Sequence, residues 1–181
     1  MKIRALLNTV VFLAAMALFG CGGGGGGGVG STATSPTGTE PPPGSTGVLT
    51  ISTVSPPTLP AGTTINGIDM TITLPAGVTV KADAVSGAAD PTVLVLSGAA
   101  AALPNSIVSG KYDKTANTLH IIVANVQPGF AAGEFLKVYF DGQPGTATFT
   151  VALNQVSGGA DPKASPATLT GVTATSVFAG L

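Results

Sequence analysis

The sequence predicts an all-β domain, a single antiparallel sandwich of about nine strands. Three observations carry that prediction. Apolar and polar residues alternate with period 2 in several segments between residues 48 and 178. Turn formers are dense, with 26 Gly and 14 Pro in 181 residues, and they cut the apolar runs at short spacing. No segment keeps a helical apolar period over three turns. Charged residues are only 8% of the chain, which fits a secreted β domain better than a cytosolic helical one.

The elements follow in order. Residues 48–54, VLTISTV, predict a first strand stopped by Pro56 and Pro57. Ile68, Met70, Ile72 and Leu74 alternate with Asp69, Thr71 and Thr73, giving one buried and one wet face. Pro75, Ala76 and Gly77 break that strand, and residues 78–80 predict its resumption. Residues 92–96 form a continuous apolar strand, and the alanine-rich residues 98–103 predict one helical turn. Residues 106–112 and 119–126 predict a hairpin around DKTAN. Residues 135–140 place Leu136, Val138 and Phe140 on one face, and residues 148–156 do the same for Phe149, Val151 and Leu153. Residues 168–178 close the domain.

Ahead of the domain, the chain changes character twice. Residues 1–20 join a short basic start, Lys2 and Arg4, to an apolar run too short for the roughly 20 residues of a membrane span. This reads as a signal peptide. It ends in Leu18-Phe19-Gly20-Cys21, which resembles the lipobox of bacterial lipoproteins. The resemblance implies that Cys21 is acylated and becomes the mature N-terminus, attaching the protein to an envelope membrane. Gly22 after the cysteine is compatible with the outer membrane. The alternative for the same residues is an ordinary secretory leader that leaves a free thiol. Residues 22–47 hold poly-Gly and then a Ser/Thr/Pro/Gly stretch with almost nothing to bury, so residues 21–47 are expected to be a disordered linker. A Gly-rich coil of that length spans about 28 Å. The domain is expected to occupy residues 48–181.

Chemistry has few candidates. His120 is the one histidine, set by alternation on the face opposite Leu119. Without a cysteine or second histidine beside it, it makes a poor zinc ligand. Asp69, Asp83, Asp90, Asp113, Glu134, Asp141 and Asp161 mostly flank turns or sit on wet strand faces. No G-x-S-x-G elbow is present, and the glycine run lacks the Lys-Ser/Thr of a phosphate loop. No cofactor or metal is expected, nor any catalytic residue. From residue 21 onward there are 5 bases against 8 acids and no basic patch, which gives nucleic-acid binding little support. One heptad, VSGAADP at 85–91, recurs as VSGGADP at 156–162 and predicts a repeated strand-exit turn. A calcium role for Asp90 and Asp161 lacks the usual dense carboxylate spacing.

The segments VLTISTV, INGIDMTITLPAGVTV, GKYDKTANTLHIIVANV, GFAAGEFLKVYF, FTVALNQV and TLTGVTATSVF together resemble a cohesin-like domain of the carbohydrate-binding-module superfamily. The resemblance covers roughly residues 48–178. It implies a nine-stranded jelly-roll sandwich that binds a dockerin-like protein module or an extracellular carbohydrate. With no Trp and only Tyr112 and Tyr139, the chain lacks the aromatic strip on which sugar-binding relatives stack pyranose rings. The expected function is therefore a non-catalytic binding module, held at the membrane by its lipid. The alternatives are a structural envelope protein and, less favoured, a hydrolase. Mass spectrometry of the mature N-terminus from membranes is expected to find an acylated Cys21, and Cys21→Ala is expected to abolish the acyl mass. A wild-type N-terminal peptide without that mass contradicts the anchor.

Overall fold

Alternation needs a partner sheet to bury its apolar side, and the chain supplies two sheets. The computed structural model describes residues 40–103, 105–125 and 128–181, with the backbone alone at Asn125. The leader, Cys21 and residues 22–39 lie outside the described residues. Strands β1 (Gly47–Val54), β3 (Leu94–Leu96), β6 (Glu134–Phe140) and β9 (Thr173–Gly180) form a four-stranded sheet ordered β3-β6-β1-β9. Strands β2 (Thr64–Thr73), β4 (Ser106–Asp113), β5 (Thr118–Asn125), β7 (Thr150–Gly159) and β8 (Ala167–Thr168) form a five-stranded sheet ordered β4-β5-β2-β7-β8. All the strand pairings are antiparallel. The result is a β-sandwich.

The core lies between the sheets. Leu49 and Ile51 of β1, Leu136, Val138 and Phe140 of β6, Ile68, Met70 and Ile72 of β2, and Leu119, Ile121 and Val123 of β5 are each at most 1% exposed. Each such side chain contributes roughly 1.5–3 kcal/mol by leaving water. β6 buries more than alternation allows. Its register against β1 shifts between Ile51 and Ser52, so Phe135 joins Leu136 in the core and stacks on Phe130 at 6.0 Å. A bulge turns two consecutive side chains to one side in this way. Tyr139 points to the other face, yet it is buried, and it shares a shallow cleft of about 220 Å³ with Pro42, Pro43, Val80 and Val93.

Four sequence expectations are corrected in detail. Residues 78–80 form no strand: after the left-handed Gly77, Thr79 makes only an isolated bridge to Asp141, while Val78 and Val80 fill the core. Residues 92–96 are not one strand, because Asp90 caps a 3-10 turn (Pro91–Val93) before β3 begins. Proline at the first helical position favours that turn. Residues 168–178 are two strands in different sheets, separated by the left-handed Gly171. The repeated heptad is only half a repeat in space. Asp90 Oδ1 accepts from Thr92 N and Asp161 Oδ1 from Lys163 N, two equivalent Asx turns. Upstream, however, Val156–Gly159 continues β7 while Val85 and Ser86 lie in a turn. The chain before β1 is also tied to the sandwich. Thr46 N donates to Phe140 O at 2.8 Å, and Thr46 O accepts from Leu181 N and Gln143 Nε2.

The hairpin between β4 and β5 shows how a local signal secures distant chain. Asp113 Oδ1 accepts from Thr115 N and Ala116 N, and Asn117 takes the left-handed conformation at φ 51°. Its side chain donates to Leu74 O and Pro75 O, both at 3.1 Å, and accepts from Tyr112 Oη at 2.7 Å. Asn117 thus joins the hairpin to the end of β2. Asn117→Ala is expected to cost roughly 2–3 kcal/mol in urea unfolding, from the lost bonds and the strained backbone. Asn117→Gly, which relieves the backbone alone, is expected to cost less. Equal losses contradict the backbone contribution.

Candidate functional site

The outer face of the five-stranded sheet is a grid set by strand register. Across β4, β5 and β2 one row reads Ser109, Ile122, Asp69 and the next Lys111, His120, Thr71. Above them, Ile107 lies opposite Ala124, which lies opposite Gly67. On the far side, β7 continues the rows with Gln155 opposite Asp69 and Ala152 opposite Thr71.

A polar network crosses this grid diagonally. His120 Nε2 lies 2.7 Å from Asp69 Oδ1. Asn154 Nδ2 donates to the same oxygen at 2.7 Å and to Thr71 Oγ1 at 3.0 Å. Asn154 can reach both because the register of β7 slips between Asp69 and Met70, leaving it as an extra residue. The Asn154 hydrogen bond, followed by the contact with His120, holds the Asp69 carboxyl below its ordinary value against the opposing effect of burial. The pair remains in contact with water, with side chains 44% and 38% exposed. Beside it stand two exposed apolar side chains, Ile107 at 67% and Ile122 at 46%. The face is therefore a mixed surface, with a pre-ordered polar cluster flanked by aliphatic contact area.

A second concavity opens at one end of β4. Thr79, Asp83, Gly87, Lys111, Asp113 and Lys114 are among the residues lining an open cleft of about 540 Å³. The Asp83 carboxylate is already spoken for. Its Oδ1 accepts from Val85 N, Ser86 N and Ser86 Oγ at 3.1, 2.7 and 2.8 Å, bonds that lower its pKa. Val85 stands at the tip of this loop, 97% exposed.

The other candidates from the sequence are dispersed. His120 lies outward while Leu119 is fully buried, as alternation expects. Asp90 pairs with Lys81 at 2.8 Å and accepts from Thr92 N and Oγ1, contacts that depress its pKa strongly. Glu134 lies 3.9 Å from Lys137. Asp141 bridges Thr79 through its backbone, and Asp161 caps its own turn. Among the described residues no group of three His, Cys, Asp or Glu side chains could hold a metal, and no helix is long and apolar enough to cross a membrane. Tyr112 and Tyr139 are both buried, so neither offers a ring at the surface. Asn154, Lys111, Ile107 and Ile122 were not singled out from the sequence. Asn154 meets Asp69 across 85 positions, a pairing that only the sheet creates.

Fold and face together define a two-sheet antiparallel sandwich with an outward polar cluster in its larger sheet. No family model, curated protein or solved structure compared with the chain matches it.

The lowered carboxylates set the response to acid. Asp69, Asp83, Asp90 and Asp113 all have depressed folded-state values, chiefly from hydrogen bonds to Asn154, Ser86, Lys81 and Ala116 respectively. Such a group adds stability above its unfolded value, near pH 3.9, and loses it as pH falls through its folded value. Thermal melting is therefore expected to be nearly flat from about pH 7 to 5 and to fall below about pH 4. Asp90→Asn, which can still accept from Thr92 N but cannot titrate, is expected to flatten that fall. An unchanged acid limb contradicts the assignment.

Proposed function

We propose that this protein is a non-catalytic binding module of the cell envelope, anchored through a lipid on Cys21, with the outer face of the five-stranded sheet as its contact surface. The observation that carries the reading is the juxtaposition on that face of exposed Ile107 and Ile122 with the pre-ordered Asp69–His120–Asn154 cluster. Interfaces combine aliphatic area with a few fixed polar groups in this way. The cluster is held by neighbouring strands, so a partner meets side chains that have already lost much of their rotamer freedom. The cohesin-like segments of the sequence favour a protein partner carrying a dockerin-like module. The burial of both tyrosines supports that choice over a stacked polysaccharide, because pyranose rings need an exposed aromatic platform.

The test is covalent capture by the full chain in its own membranes. A photoreactive residue at Ser109, beside Ile122 in the register, is expected to capture one envelope protein. Ile122→Lys in the same chain is expected to reduce the yield at least about tenfold, the equivalent of 1.4 kcal/mol. Capture at wild-type yield by the Ile122→Lys chain contradicts the assignment of this face. Hits on a glycan array that are lost in Ile122→Lys replace the protein partner with a carbohydrate.

A further inference from the structure

A sandwich has four edge strands, and each exposes backbone groups that can pair with another chain. Three of these edges are protected. β3 has three residues and β8 has two, and the part of β7 that β8 leaves open is interrupted by the slip at Asn154. β4 is longer, but residues 87–89 run along it. Tyr112 N donates to Gly87 O at 2.8 Å, Ala89 N donates to Gly110 O at 2.9 Å, and Ala88 bridges Lys111.

β9 has none of these protections. It runs eight residues, TATSVFAG, in unbroken register with β1 from Gly180 opposite Gly47 to Thr173 opposite Val54. It contains no proline, no charge and no bulge, the usual devices that blunt an edge. Among the described residues it pairs only with β1. The sandwich is also incompletely closed along this side. Phe178 and Ala174, opposite the buried Leu49 and Thr53, are only half-buried, and Ser176 is exposed. Phe149 of the facing layer, stacked on Phe178 at 5.2 Å, is half-buried as well. On the outer side, Val177 is 70% exposed.

We propose that β9 pairs antiparallel with β9 of a second copy of this chain, fusing two four-stranded sheets into one of eight strands. The charge pattern selects this occupant. No charged side chain occurs from Ala164 to Leu181, so the strand laid against itself opposes only neutral residues in any register. Symmetry narrows the register further. Two antiparallel strands in one continuous sheet are related by a two-fold axis perpendicular to it. The core side of both copies then stays on one side, so the paired residue numbers must sum to an even number. An axis at Val177 satisfies this, uses residues 174–180, and sets the two exposed Val177 side chains against each other. The contact is isologous and consumes both β9 edges, so assembly stops at two copies. It is independent of the partner proposed for the five-stranded sheet, whose residues lie in the other layer.

Cysteine cross-linking of the full chain in membranes tests the proposal. Under mild oxidation, Val177→Cys is expected to run mostly as a covalent dimer on a non-reducing gel. The unsubstituted chain, whose only cysteine is Cys21, and Val85→Cys, still more exposed on a distant loop, are expected to run as single chains on that gel. Sedimentation of the detergent-solubilised chain supplies a second readout. The wild type is expected at the mass of two chains, and Val177→Lys, which opposes two like charges on the axis, at the mass of one. Val177 is exposed, so both variants are expected to keep the wild type's β-sheet circular dichroism, which separates loss of pairing from loss of fold. A wild type that sediments at the mass of one chain, or covalent dimers equally abundant from Val85→Cys and Val177→Cys, overturns the proposal.

Discussion

β2 has two neighbours and must satisfy both, and that constraint governs the molecule. It lies third in the five-stranded sheet, with β5 on one side and β7 on the other. Its inward residues Ile68, Met70 and Ile72 sit at the centre of the core, while Asp69 and Thr71 point outward. A slip of one residue would exchange the two sets, placing a carboxylate in the core and three apolar side chains in water. The core therefore dictates the register, and the register dictates which polar groups meet outside. The Asp69–His120 contact is a by-product of burying Met70.

The bulges make up the difference between ideal alternation and this structure. At β7 the extra residue is Asn154, which completes the outward cluster. At β6 the shift turns Phe135 inward to join Phe130. Both irregularities are local backbone deviations with side-chain consequences. One shapes a surface and the other fills the interior. The sandwich thus carries two separate outward resources. One is a polar cluster fixed in the larger sheet; the other is a neutral, unblunted strand at the rim of the smaller one.

Much of the architecture was legible in the sequence because period 2 survives in the central strands. β1, β2 and the β4–β5 hairpin appear where alternation and the DKTAN turn put them. The failures occur where local pattern and long-range pairing part company. Val78 and Val80 look like strand residues because they alternate, but after Gly77 no strand lies beside them and only Thr79 finds a bridge. Residues 168–178 read as one strand because nothing in their hydrophobicity marks the change of sheet at Gly171. For the site, the outward position of His120 followed from its neighbour Leu119. Ile122 was hidden inside the apolar run IIVA, where no polar residue marks the outward face. The partners of Asp69 lie 51 and 85 positions away, beyond the reach of any local signal.

The most direct test of this account is amide hydrogen exchange on the full chain, resolved strand by strand. If β2 is the constraint, its amides from Ile68 to Ile72 exchange only on global unfolding and share the slowest rate with those of β5. The rim amides of β9 exchange faster in a monomer. If β2 exchanges as quickly as β8 or the edge of β4, its two-sided pairing does not hold the sandwich together, and the account fails.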